Sequence, residues 1–320
     1  MEKPIKFKEK RRSLLQDIKR NYWLYIMLIP AIVFYIVFQY IPTAGVFIAF
    51  QEYRIGEGFF FTIFGHEWVG FDNFRIVLSN ERIIGLIRMT ILYSLGFMVV
   101  NLVASVGLAL LLSEIGSKWF KKVSHSMIFL PYFVSWVVVS FITFALFSGR
   151  HGLLTNMLAS FGVDFNFYHT PWIWPFILLF LSAWKSVGFS SIIYLAVITG
   201  TDPQMHESAR VDGANVWQRI WHISLPMLKP TIILLTIMGL AGIMSTDGGM
   251  FFQIVGNNTA LHRMADTIDA HIMRTLMVPG SAISFQQTTA LGLFQQFVGF
   301  ALIITVNTII KFVAPEHAIF

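Results

Sequence analysis

The chain has 320 residues, of which 56% are apolar and only 12% charged, with a formal net charge of +6 and no cysteine. A soluble domain carries roughly a quarter charged residues, so this deficit excludes a water-solvated globule and indicates an all-α integral membrane protein. The lack of cysteine excludes disulfides and thiol chemistry, and the positive balance fits anchoring beside anionic lipid better than nucleic-acid binding.

From the N-terminus, residues 1–20 read as a basic arm carrying Lys3, Lys6, Lys8, Lys10, Arg11, Arg12, Lys19 and Arg20. The remainder, 21–320, reads as one transmembrane domain with six predicted spans, at 22–47, 86–112, 124–147, 172–199, 228–250 and 288–310. The uncharged runs beneath them reach the ~20 residues that a helix needs to cross the hydrocarbon core. The first run is longer than the apolar core of about 7–15 residues in a secretory signal and lacks a small-residue cleavage site, so an uncleaved helix is expected. Between spans one and two, Phe59-Phe60-Phe61 and Trp68 suggest an interfacial segment. Span five is the weakest, with a short, Gly-rich, charge-free core. Pro30, Pro131 and Pro175 fall inside spans, where a proline kinks a helix and frees a carbonyl.

Charge sets the orientation. Lys118, Lys121, Lys122, Arg210, Arg219 and Lys311 fall on the side of the basic arm, and the opposite loops hold fewer basic residues. Cytoplasmic loops collect Lys and Arg, so both termini and the 200–227 loop are expected in the cytoplasm, with the chain multi-pass in the cell membrane.

That loop holds a polar island at 202–226. Asp202-Pro203 is a good helix start, with Asp as N-cap and Pro in the first turn. The helix is expected to run to about Asp212 and stop at Gly213. Asn215, with Gln218 three residues on, caps a second helix, and Trp217, Ile220 and Trp221 are expected on one of its faces. Leu225-Pro226 is expected to end it before span five. Small residues at Ala209, Gly213 and Ala214 let another protein approach the backbone, and Glu207 offers a charge contact. The Trp217 stripe either fills an apolar groove on a partner or floats at the lipid headgroup level.

The order Glu207-Ser208-Ala209-Arg210-Val211-Asp212-Gly213-Ala214, then Ile223-Ser224-Leu225-Pro226, resembles the cytoplasmic EAA loop of ABC importer permeases. Ser208 departs from the more usual alanine but is nearly as small. Val69-Gly70-Phe71-Asp72-Asn73-Phe74 is similar to that family's Val-Gly-x-x-Asn-Phe element, and Tyr40-Ile41-Pro42 with Ala49-Phe50 resembles the first span of its oligosaccharide-serving members. The resemblance implies a type I ABC importer permease-like fold of six transmembrane helices with a cytoplasmic coupling helix pair. It assigns ATPase coupling to Glu207, Ser208, Ala209, Asp212, Gly213, Ala214, Trp217, Ile223, Leu225 and Pro226. It also implies a second homologous permease subunit, two ATPase subunits holding ATP and Mg, an extracytoplasmic solute-binding protein, and a sugar or oligosaccharide as substrate. No cofactor is expected on this chain. Import of another polar solute, such as a polyamine or amino acid, is the alternative; a secondary transporter would be expected to show paired intramembrane acids or interrupted repeats.

Within the spans, Lys185 is the one deep charge, with Trp184 beside it. An intramembrane ionisable group is by default a functional candidate; the lysine and the indole could serve a sugar path, or the lysine could bond carbonyls structurally. Asn101, Gln295, Gln296 and Asn307 either line a route or bridge helices, and Asn101 joins Trp184 and Lys185 as a substrate-path candidate. The histidines show no metal-ligand spacing, no nucleophile constellation is recognisable, and GxxxxGK[ST] is absent, so neither a metal site nor catalysis is expected.

Overall fold

The computed structural model describes residues 19–52, 65–149, 151–277 and 284–313. Most of the expected basic arm, and Phe59-Phe60-Phe61, lie outside the described residues. Among the described residues the regular elements are helical, and the one extended pairing is an isolated antiparallel bridge between Gln51 and Trp68.

Among the described residues five helical stretches are long and apolar enough to span a membrane, Tyr22–Phe50, Glu81–Glu114, Pro171–Thr199, Val216–Ala241 and Phe285–Phe312, and a bent pair makes six if it counts as one span. The first begins as α1 (Tyr22–Tyr35), and no residue of α1 is buried. An apolar helix exposed all round is suited to lipid or to another subunit. It passes through a π turn and a 3-10 segment to Phe50, where it is pinned: the Asn73 side chain donates to the Ala49 and Gln51 carbonyls, both at 3.0 Å, and Phe50 stacks on Trp68. Asn73 lies in the short helix α2 (Asp72–Leu78), so the Val-Gly-x-x-Asn-Phe element is a fastener for the end of span one.

Span two is α3 (Glu81–Glu114), capped by the Asn80 side chain. The third predicted span differs from a straight 124–147 helix. It is a pair, α4 (Lys118–Phe129, prolonged by a 3-10 turn to Phe133) and α5 (Trp136–Phe147), bent by 96°. Pro131 cannot donate its backbone nitrogen, and Ser135 caps a new helix, so the chain turns there. After α6 (Leu153–Ser160) comes α7 (Trp174–Thr199), which packs along α3. A Cβ on Gly188 would lie 2.2 Å from the Ile128 carbonyl oxygen, so only glycine lets α7 touch the backbone of α4.

The polar island forms α8 (Pro203–Val211) and α9 (Val216–Arg219). Leu225-Pro226 does not end the second of these, as the sequence suggested. A π turn over Ile220–Ser224, in which the Leu225 N–H donates to the Ile220 carbonyl, leads into α10 (Leu225–Ala241). Such a bulge shifts the hydrogen-bond register just before Pro226, and the helix continues as one 26-residue unit, Val216–Ala241. Span five therefore lies at 216–241 rather than 228–250, and its expected outer part is a turn followed by α11 (Gly248–Ile254). The described elements end with α12 (Ile268–Met277) and α13 (Phe285–Val313).

Three buried clusters meet along α3, the middle one joining Tyr93 to Trp174, Leu178 and Phe251. Val106, Ala109 and Leu110 pack with Tyr194, Ile198, Ile220 and Leu228 toward its C-terminal end. Ile83 and Leu86 pack with Met244, Ile268 and Leu291 toward its N-terminal end. The helix thus carries one end against α9–α10 and the other against α12–α13.

Candidate coupling and transport site

The Asp202 side chain accepts from the Gln204 N–H at 3.0 Å and starts α8. The helix closes with the Gly213 N–H donating to the Arg210 carbonyl and the Ala214 N–H to the Ala209 carbonyl, the paired bonds of a Schellman stop. Gly213 has φ +79°, a conformation that costs an L side chain about 1–2 kcal/mol. Asn215 and Gln218 then cap α9 reciprocally, at 2.8 and 2.9 Å. Capping at these three points sets a rigid path for a loop with little core of its own.

Glu207, Ser208, Asp212 and Gly213 are exposed, and Ala209 and Ala214 are half-buried. Among the described residues Glu207 has no ion-pair partner, and a Cβ on Gly213 would meet nothing within 4 Å. The aromatic stripe divides. Ile220 is 5% exposed within the bundle, whereas Trp217 and Trp221 are 65% and 61% exposed, so the expected common face holds only the two indoles. Ile223 and Leu225 are half-buried and Pro226 is exposed.

Arg219 did not stand out in the sequence except as one basic residue among several. Its guanidinium is buried, donates to the Ala214 carbonyl at 2.9 Å, and pairs with the carboxylate of Glu114, the last residue of α3. The turn between α8 and α9 is thereby bound to the end of a transmembrane helix. The two residues are 105 positions apart, so no local pattern could have announced the pair.

Lys185 lies at the break in span three. Its ammonium donates to the Tyr132 carbonyl at 2.7 Å and the Val134 carbonyl at 2.6 Å, and sits 5.6 and 5.4 Å from the Tyr132 and Trp136 ring centres. The 96° turn frees carbonyls that have no water to bond at membrane depth, and the lysine supplies the donor. Trp136 also donates to Asp247, which caps α11. Trp184 points elsewhere, into an apolar groove with Met127, Pro131 and Phe180.

Asn101 donates to the Ser186 hydroxyl at 3.0 Å and accepts from the Ser105 hydroxyl at 2.7 Å, joining α3 to α7. It also lines an open cavity of about 230 Å³ with Ser190, Tyr194 and Thr236. Gln295 is buried and donates to the Met244 carbonyl and the Asp269 carboxylate, whereas Gln296 is exposed. Asn307 is buried.

At the other end of α3 the segment 264–268 is stitched down. The Tyr93 hydroxyl donates to the Met264 carbonyl at 2.6 Å, and the Ile268 N–H donates to the Thr90 hydroxyl at 2.9 Å. Asp266 and Arg274 form a second buried ion pair beside them. Burial lowers the pKa of neighbouring His271 to about 4, so its imidazole is neutral near pH 7.

These features define a polytopic helical membrane protein with its polar side chains at helix seams and a polar helix pair presented at one end of the bundle. Residues 105–316 match the binding-protein-dependent transport system inner membrane component family, and the chain belongs to that family. It is 33% identical to Protein LplB of Bacillus subtilis (strain 168) over 96% of this chain and 94% of that protein. It is 32% identical to the polygalacturonan/rhamnogalacturonan transport system permease protein YteP of the same organism, over 95% and 92% of the two chains. A chain in the crystal structure of a bacterial alginate ABC transporter, in complex with its alginate pentasaccharide-bound periplasmic protein, superposes with TM-score 0.81 at 31% identity, over 94% of this chain and 98% of that one. Family membership makes the chain a transport component rather than an enzyme.

Proposed function

We propose that the chain is a permease subunit of an ATP-driven ABC importer and forms half of a translocation path for a sugar or oligosaccharide. Similarity along almost the whole chain to a polygalacturonan/rhamnogalacturonan permease and to an alginate transporter supports that substrate class. A second permease subunit, two ATPase subunits binding ATP and Mg, and an extracytoplasmic solute-binding protein complete the assembly. Both termini and the 202–226 loop face the cytoplasm, and the ATPase docks on that loop.

The observation that carries the coupling role is the exposed α8–α9 pair, held rigidly by its caps and by Arg219. Glu207 and the small residues around Gly213 form its open face. Displacement of this pair by a nucleotide-driven ATPase is passed along two routes. One is the continuous helix from Val216 to Ala241; the other is the Arg219–Glu114 pair, which moves α3. Asn101 lies on the seam between α3 and α7, where such a movement alters the cavity beside it.

The test is the double variant Glu207→Lys/Gly213→Val in the reconstituted complex. It reverses a charge contact and places a β-branched residue at positive φ, in a loop that insertion does not require. Normal amounts of permease in the membrane are expected, with ATP hydrolysis no longer stimulated by the loaded binding protein. Transport at the parental rate would refute the assignment of this loop.

A further inference from the structure

The end of α3 opposite the docking pair borders a cavity of about 430 Å³, within the range of roughly 300–1,000 Å³ typical of small-ligand sites. Arg82 and Arg88 line it from α3, and Thr259, His262, Arg263 and Asp266 line it from the facing segment. From Met89, the last α3 residue at this cavity, to Glu114 is 25 residues, about 38 Å of helix at 1.5 Å per residue. The cavity therefore opens on the membrane face away from the α8–α9 loop, the substrate-entry side if that loop meets the ATPase.

Its charges are unbalanced. Arg82, Arg88 and Arg263 are exposed, and among the described residues none of them forms an ion pair. The one acid in the lining, Asp266, is already neutralised by Arg274 from behind. Its Oδ2 atom is nevertheless buried without a hydrogen-bond partner, and the Thr259 side chain is exposed. The walls are firm, because the Tyr93–Met264 and Thr90–Ile268 bonds fix the facing segment to α3 within about one turn of Arg88. Three free guanidinium groups suit anionic oxygens, which they can bind in bidentate pairs. The exposed Thr259 hydroxyl adds a contact for a neutral hydroxyl.

We propose that this cavity is an entry site for a carboxylate-bearing saccharide, with Arg82, Arg88 and Arg263 holding its acid groups. The assignment rests on the importer reading and narrows its substrate to acidic oligosaccharides. The shared chemistry, an anion with hydroxyls, would also fit a glycerophospholipid headgroup, and the test separates the two.

The chain has no cysteine, so Thr259→Cys supplies a single reactive thiol in the wall. The full complex, in phosphatidylcholine nanodiscs, is labelled with a neutral maleimide alone and with trigalacturonate or maltotriose. Trigalacturonate should slow labelling and maltotriose should not. Arg82→Gln and Arg263→Gln should each weaken protection by roughly tenfold, and Arg263→Lys should weaken it less. Both side chains are exposed, so folding should be preserved. Failure of trigalacturonate to protect, equal protection by maltotriose, or protection by phosphatidylglycerol nanodiscs in place of the saccharide would overturn the proposal. ATP hydrolysis by the same preparation is read separately, so failure of the importer reading and failure of this site give different results.

Discussion

Where α3 ends at Glu114, its carboxylate is buried against Arg219, which holds the exposed α8–α9 pair to the helix end. At its beginning Tyr93 and Thr90 fix a loop to the helix, a second buried pair, Arg274–Asp266, ties that loop to α12, and Arg82, Arg88 and Arg263 remain unpaired around it. The same chemistry therefore serves two ends differently. At one end an ion pair binds the exposed α8–α9 loop to a transmembrane helix. At the other it builds a firm wall and leaves surplus positive charge facing a cavity. The lesson is that a buried pair indicates what must not move, and unpaired charge beside it indicates where a ligand is received.

The strongest way to break this contrast is to remove one arginine from each pair. Losing one partner of a buried pair costs about 3–5 kcal/mol, because it strands a charge, whereas replacing both partners by apolar groups is often neutral. Arg219→Met should lower the thermal unfolding midpoint and abolish stimulated ATP hydrolysis. Glu114→Leu/Arg219→Met should recover the midpoint but not the stimulation, since the Ala214 carbonyl stays unheld. If full stimulation returned with the double variant, the pair would be a packing device alone. Arg274→Met should destabilise similarly, yet leave the ratio of stimulated to basal hydrolysis unchanged in the molecules that fold.

A smaller effect isolates the docking loop from the helix. Gly213→Ala meets no neighbouring atom, so its cost is the left-handed φ alone, about 1–2 kcal/mol. Weaker binding of the ATPase subunit is expected from titration of the purified complex, with a fall in the unfolding midpoint smaller than that of Arg219→Met. The smallest effect is a pH dependence at the end of the bundle away from α8–α9. His271 titrates at about 4 rather than 6.5 because burial disfavours its charged form. The unfolded chain therefore binds a proton in this range before the folded one does, and stability should fall as pH drops from 6.5 toward 4 and level off below. His271→Gln should remove that component from the unfolding midpoint measured against pH.

Much of the α8–α9 helix pair was legible in the sequence because caps are local. Asp202, Gly213 and the Asn215–Gln218 box each act within a few residues, and the structure uses them as such. Leu225-Pro226 misled because a proline usually stops a helix, and a preceding π turn here lets the helix pass through it. Pro131 was visible, but the 96° bend depends on Lys185, which lies more than 50 positions away and supplies the donor for the freed carbonyls. The same holds for Asn73, whose pinning of span one was legible only as a motif. Arg219–Glu114 and the walls of the arginine-lined cavity depend on contacts across the bundle, to which periodicity and spacing are blind.

The central claim, that α8–α9 is the ATPase docking element, is tested most directly by proximity. In the cysteine-free chain, Ser208→Cys places one thiol on the exposed face of α8. A short thiol-reactive photo-cross-linker attached there, in the assembled complex, should yield an adduct with the ATPase subunit whose amount changes between nucleotide-free and ATP-bound states. Adducts with the solute-binding protein instead, or none with the ATPase while the complex remains intact, would contradict the account.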